Sequence, residues 1–201
     1  YREILKRGIR VIFINSYYQG IDIPHVSIND RMAGYKMTKH LIDMGHRRIG
    51  SIFKLDDGQG KQRFAGYMDA MLEAGLEIDD ARILWIDTED LKHMDKLTDR
   101  VMDRYRDCTG LFCYNDEVAF GLLEVFKKAG INVPQDISMA SVDDSELAVL
   151  GEVGITSAPY PMENLGKKAA ENLLQMIADP FFDANYEFEV DIVQRDSVRR
   201  L

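Results

Sequence analysis

The sequence predicts an α/β fold in which parallel strands are flanked by helices, and three observations carry that prediction. Apolar runs of strand length alternate with helix-length amphipathic stretches along almost all of the 201 residues. The alternation is clearest between Thr109 and Val142. There Thr109-Gly110-Leu111-Phe112-Cys113-Tyr114 reads as a buried strand, Glu117 to Ala129 as a helix, and Ile137 to Val142 as a second strand. Both strands end in polar pairs, Asn115-Asp116 and Asp143-Asp144. Ligands of open parallel sheets bind outside the carboxyl ends of the strands, so these pairs mark the edge where function is expected.

Taken in order, Tyr1 to Gly8 reads as the last turns of a helix, and the chain is expected to begin within a domain. Val11 to Ile14 is a continuous apolar strand, and Val26 to Ile28 a short extended piece after Pro24. A helix is expected over Asp30 to Met44, capped by Asn29 or Asp30 and stopped at Gly45, with Met37, Leu41 and Met44 on one face. Arg48 to Phe53 is the next strand. Asp56-Asp57-Gly58-Gln59-Gly60 reads as a flexible loop before a helix from about Lys61 to Ala74. Ile83 to Ile86 is a strand, and Leu91 to Tyr105 a single helix with Met94, Leu97, Val101 and Met102 on one side. In the central unit Val118, Leu122, Val125, Phe126 and Ala129 keep helical spacing; Gly130 closes that helix and Pro134 forbids its return. Beyond it come a helical turn at Glu146 to Leu150, a strand at Ile155 to Ala158 and an amphipathic helix from Pro161 to Ile177. Tyr186 to Val193 alternates like an exposed antiparallel strand before a charged end.

Composition narrows the function. With 46% hydrophobic and 29% charged residues the chain is ordinary globular protein, and no apolar run reaches membrane-spanning length. The start lacks the pattern of a signal peptide. A net charge of −9 repels a phosphate backbone, so this chain alone is not expected to hold nucleic acid. The basic clusters His46-Arg47-Arg48 and Arg195 to Arg200 read as solvated surface. Cys108 and Cys113 make neither a zinc site nor a disulfide framework; as reduced thiols they favour the cytoplasm. Gly58-Gln59-Gly60-Lys61 fails as a phosphate loop, with Leu55 where a glycine is required and Gln62 where a hydroxyl is required. His25, His40, His46 and His93 lack metal-ligand spacing, and no nucleophile elbow is present. Neither a metal nor a cofactor is expected.

Three places remain for chemistry. One member of Asn115-Asp116 can cap the following helix while the other faces a ligand. Asp143-Asp144 are turn residues or acceptors, pointing in different directions as neighbours. Arg63 stands early in a helix, where the dipole disfavours a cation and a specific role is therefore expected. Together Arg63, Asn115 and Asp143 offer a fork of donors, an amide and an acceptor, a set suited to the adjacent hydroxyls of a small polyol.

The runs Asn29-Asp30-Arg31-Met32-Ala33-Gly34 and His40 to Gly50 resemble the effector domain of LacI/GalR regulators. So do Gln62-Arg63-Phe64-Ala65-Gly66-Tyr67, Asn115 to Gly121, Asp136 to Asp144, and Ile155 to Gly166, in that order over nearly the whole chain. Within that family the sequence is most similar to arabinose-responsive repressors of bacilli, whose DNA-binding head is of the winged-helix, GntR type. The resemblance implies a periplasmic-binding-protein-like (type I) two-lobed fold that closes on a sugar and responds allosterically, without catalysis. It places Arg63, Asn115 and Asp143 on ligand-contacting positions, with Tyr160 as a further polar contact. An aromatic stacked on the sugar is also implied; Trp85, within a strand, is open to that role or to a core position. The DNA-binding head and the first units of the amino-terminal lobe are then expected to lie outside the chain. Residues 1–28 and 159–185 would be the remnant of that lobe, and 29–158 and 186–201 the carboxy-terminal lobe. The implied partners are a sugar effector, operator DNA through the missing head, and a second copy docked on the Phe120 helix and the Leu147 to Leu150 turn. A transport sugar-binding protein and a sugar-modifying enzyme are the competing readings.

Overall fold

Glycine-terminated helices and short apolar strands build two units in the computed structural model, which describes residues 1–15, 17–18 and 20–201. One unit comprises Tyr1–Asn29 and Pro161–Glu189, the other Asp30–Tyr160 and Val190–Leu201.

The larger unit holds strands β3 (Ile49–Lys54), β4 (Ile83–Ile86), β5 (Gly110–Cys113), β6 (Ser138–Asp143) and β7 (Thr156–Pro159). They form one sheet in the order β4-β3-β5-β6-β7, with every pairing parallel. Chain order reverses between β3 and β5, which opens a crevice at their carboxyl ends. Both faces are covered, as a parallel sheet requires. On one face, α5 (Thr98–Tyr105) and α6 (Asp116–Lys128) bury Val101, Tyr105, Val118, Leu122 and Phe126 against Ile52, Leu111 and Cys113. On the other lie α2 (Asp30–Asp43) and α3 (Gly58–Glu73), where Tyr67 and Phe64 pack edge-on against Phe53 or beside it. Gly45 and Gly130 close α2 and α6 at positive φ, 100° and 73°.

The smaller unit is a parallel sheet in the order β1 (Phe13–Ile14), β2 (His25–Ile28) and β8 (Tyr186–Phe188), with α1 (Arg2–Lys6) and α8 (Met162–Ala178). The tail therefore departs from its expected antiparallel pairing: β8 runs parallel to β2, and only an isolated antiparallel bridge joins Val193 to Ser157 in the larger unit.

Three other expectations are corrected. The loop at 56–60 ends early, because the Asp57 carboxylate accepts from the Gly60 N–H at 2.7 Å and starts α3 at Gly58. The expected helix over Leu91–Tyr105 is broken. An Asp87 capping box starts α4 (Thr88–Lys92), His93 leaves helical backbone, and a 3-10 turn at Met94–Leu97 precedes α5. The basic clusters are also less solvated than expected. His46 is fully buried between Thr109 Oγ1 and the Arg199 carbonyl, and burial lowers its pKa. Arg195 is half-buried and donates to Asp144 at 2.6 Å.

Cys108 and Cys113 are buried free thiols on the α5–α6 side of the sheet. Burial pushes the Cys108 thiol up to about 12 and Cys113 well above its ordinary value. Both are expected to resist a colorimetric disulfide reagent at about pH 8 and to react at once in denaturant, since the thiolate is the attacking species. Rapid labelling of the folded protein would contradict the packing.

Candidate ligand-binding site

The polar residues at the sheet's carboxyl edge are brought together by a close helix crossing. Arg31-Met32-Ala33-Gly34 and Phe64-Ala65-Gly66-Tyr67 put Gly34 of α2 and Gly66 of α3 at the crossing point. A Cβ at Gly34 would lie 2.8 Å from the Arg63 carbonyl carbon, and one at Gly66 2.9 Å from that of Arg31. Backbone therefore meets backbone. Arg31 pairs with Asp69 at 2.6 Å and Tyr35 donates to Glu73 at 2.8 Å across the same crossing.

That approach delivers Arg63, in the second turn of α3, to the carboxyl ends of β5 and β6. Its side chain is 2% exposed. Nε donates to Asp30 at 2.9 Å, one terminal nitrogen to the Tyr114 carbonyl at 2.6 Å, and the other to Asp143 at 3.4 Å. The guanidinium also lies 4.8 Å from the centre of the Tyr114 ring. Burial opposes its charge, but Asp30, Asp143 and Tyr114 together raise its pKa. Because α3 starts at Gly58 rather than near Lys61, Arg63 lies beyond the first turn where the dipole would disfavour it, and two carboxylates hold its charge.

Asp143 is the accessible member of the cluster, its side chain 31% exposed. Desolvation pushes its pKa up to about 6; Asp116 and Asp30 add to that rise, while Arg63 and a hydrogen bond from Asn115 oppose it. Asp143 and Asp144 both take positive φ, 114° and 49°, a conformation costly for residues other than glycine and concentrated at functional sites. As expected of neighbours, the two carboxylates diverge, Asp143 toward Arg63 and Asp144 toward Arg195.

Asn115 both caps and contacts. Its Oδ1 accepts from the Val118 N–H at 3.0 Å, which starts α6, while its amide meets Asp143. The expected division of labour in this pair is altered: Asp116 is fully buried rather than facing outward, and accepts from serines. Tyr160 follows β7, donates its backbone N–H to the Asp143 carbonyl at 2.9 Å, and buries a hydroxyl with no hydrogen-bond partner among the described residues. Burial, Asp30 and Asp143 raise its pKa. The structure therefore gathers Arg63, Asn115, Asp143 and Tyr160 at one edge. Trp85 instead packs with Phe53 and Phe64, at 5.5 and 5.2 Å between ring centres, within the aromatic layer under α3.

Sequence reasoning missed Asp30 and Tyr114 as site residues, and offered Asp116 only as one member of the Asn115-Asp116 pair that could cap or face a ligand. The Tyr114 hydroxyl donates to Asp57 at 2.6 Å, which links the α3 cap to the site. None of these three has a local signal beyond standing at an element's end. Among the described residues no cluster of His, Cys, Asp or Glu could hold a metal, and no helix is long and apolar enough to cross a membrane.

A parallel sheet with a polar cluster at its carboxyl edge is the architecture of a ligand-binding domain, and residues 38–198 match the model of the periplasmic binding protein-like domain. The chain belongs to that family. Within it, the chain is 34% identical over 195 residues to the arabinose metabolism transcriptional repressor of Halalkalibacterium halodurans, and 33% identical over 208 residues to that of Geobacillus stearothermophilus. These alignments cover 96% and 100% of this chain but 52% and 57% of the relatives, so the chain spans about half their length. The structure resembles that of the transcriptional regulator CelR in complex with cellobiose, with a TM-score of 0.87 and 26% identity, over 97% of this chain and 61% of that one. These relatives are transcriptional regulators and not enzymes.

Proposed function

We propose that this chain is the sugar-sensing effector domain of a bacterial transcriptional repressor, with L-arabinose as the favoured ligand. The observation that carries this reading is the partly exposed Asp143 carboxylate, held in a left-handed turn against the buried Arg63 fork and the Asn115 amide. Asp143 accepts from one sugar hydroxyl, Arg63 and Asn115 donate to its neighbours, and the Tyr160 hydroxyl can do either. The two relatives named for arabinose metabolism favour that sugar.

In the whole protein, operator DNA is held by a domain outside these residues, and the ligand acts by its differential affinity for two states, typically ~1–3 kcal/mol. Such a regulator works in the cytoplasm as a homodimer. The α6 face and the exposed Val149 and Leu150 suit the dimer surface, and their exposure in a dimeric structure would remove that assignment.

Titration calorimetry of the full-length protein with L-arabinose, D-galactose, D-ribose and a purine base tests the reading. Saturable heat is expected with L-arabinose. Because a donated hydroxyl favours the ionised carboxylate, affinity should be full above the Asp143 pKa of about 6. Below it, affinity should fall by up to about tenfold per pH unit. Near that pH, binding should release protons, seen as heat that varies with the buffer. Affinity that is flat from about pH 5 to pH 8 would exclude Asp143 as the acceptor.

A further inference from the structure

We infer that Asp116 is a positioning residue for ligand binding, a buried carboxylate that clamps the strained turn presenting Asp143. The inference rests on the sugar-binding reading for its function but not for its geometry.

Asp116 opens α6 and is fully buried, with 0% exposure. One of its oxygens accepts from the hydroxyls of Ser141 on β6 and Ser157 on β7, the latter at 2.7 Å. The other accepts from the Ser145 N–H at 2.6 Å and the Ser145 hydroxyl at 3.0 Å. Four donors thus fill both oxygens, and no cation is among them. A helix amino terminus favours a carboxylate at this position.

What the four donors have in common is the turn. Ser141 stands two residues before Asp143 and Ser145 two residues after it, so Asp116 grips both sides of the segment with positive φ. Ser157 completes the clamp from the next strand, because its hydroxyl also accepts the Asp144 N–H at 3.0 Å. Residues in such backbone conformations persist only where their surroundings over-determine them. A neutral side chain of similar size cannot accept four bonds. Asparagine, the nearest in shape, turns one acceptor oxygen into a donor that faces other donors.

Two variants separate clamp from charge. Asp116→Asn removes both, whereas Ser157→Ala keeps the carboxylate and loosens the turn. The groups facing Asp143 are Arg63 on α3, Asp30 on α2, Tyr114 after β5, Asn115 and Asp116 at the start of α6, and Tyr160 after β7. Ser157→Ala leaves all of them in place, and Asp116→Asn all but Asp116.

The first readout needs no ligand: the titration midpoint of the Asp143 carboxyl carbon by NMR. It should drop from about 6 toward the ordinary carboxylate range in both variants as the turn relaxes into solvent. The second is calorimetry with L-arabinose, where each variant should bind about tenfold more weakly or worse. A folded Ser157→Ala protein whose Asp143 midpoint stays at the wild-type value overturns the clamp, whatever Asp116→Asn does. If the wild type gives no heat with L-arabinose, the sugar assignment fails and the midpoints still decide the clamp. Should Asp116→Asn not fold, Ser157→Ala carries the test alone.

Discussion

Arg63→Ala is expected to abolish sugar binding and to lower stability by about 3–5 kcal/mol, the usual loss when one partner of a buried charge pair is removed. The guanidinium answers Asp30 and Asp143 at once and donates to the Tyr114 carbonyl, so alanine strands two carboxylates and a backbone oxygen at the sheet edge. Thermal unfolding measures the first effect, and calorimetry with L-arabinose, well below the transition, measures the second. Arg63→Lys should recover part of the stability but little of the binding, because a lysine keeps the charge and loses the fork. An alanine variant that melts like the wild type and binds undiminished would show that the cluster is neither structural core nor ligand site.

The second large effect is expected at the close crossing of α2 and α3. Gly34→Ala or Gly66→Ala places a methyl group against the opposing backbone, 2.8 Å from the Arg63 carbonyl carbon or 2.9 Å from that of Arg31. Backbone cannot swing aside as a long side chain can, so α2 and α3 must separate. The loss should reach about 3 kcal/mol or more, equivalent to a fall of roughly 6–12 °C in Tm for a chain of this size. Gly58→Ala is the control: its Cβ meets nothing within 4 Å, and stability should stay within about 0.5 kcal/mol. Should all three variants melt alike, the close crossing would not exist in solution.

Much of the larger unit was legible because its elements carry local signals. β4 matches its expected span, and β5, α6 and β6 lie within one residue of theirs at almost every end, since apolar runs, a capping Asn115 and a stopping Gly130 all act through neighbours in sequence. The failures have equally physical causes. Gly58 and Gly60 suggested a loop, but the Asp57 cap recruits them into α3, and Gly60 is needed where a Cβ would lie 2.8 Å from the Lys54 carbonyl carbon. The 91–105 stretch keeps helical spacing through His93, although the backbone there leaves the helix. Of the candidate site, Arg63 stood out as a cation against the dipole of a helix expected from about Lys61. That reason did not hold, because α3 starts at Gly58 and leaves Arg63 in the second turn. Asp30 was not legible, and Asp116 only as one of a polar pair at a strand end, because what makes both unusual is their burial against residues 33 and 25 or more positions away. Ser141, Ser145 and Ser157 look like ordinary polar residues until the sheet lines them up on one carboxylate.

The division of the chain has a bearing on synthesis. The larger unit takes residues 30–160 and then 190–201, which follow an intervening stretch belonging to the smaller one. Those late residues supply the Arg195 partner of Asp144, the Ser197 hydroxyl that accepts from the Thr156 N–H, and the Leu201 N–H that meets the Met44 carbonyl. A nascent chain that has emerged only through β7 therefore holds a sheet whose last strand lacks its outer partner. The unit cannot reach its final hydrogen-bonding until residues 190–201 have left the ribosome, so its folding is completed only after this region has been translated.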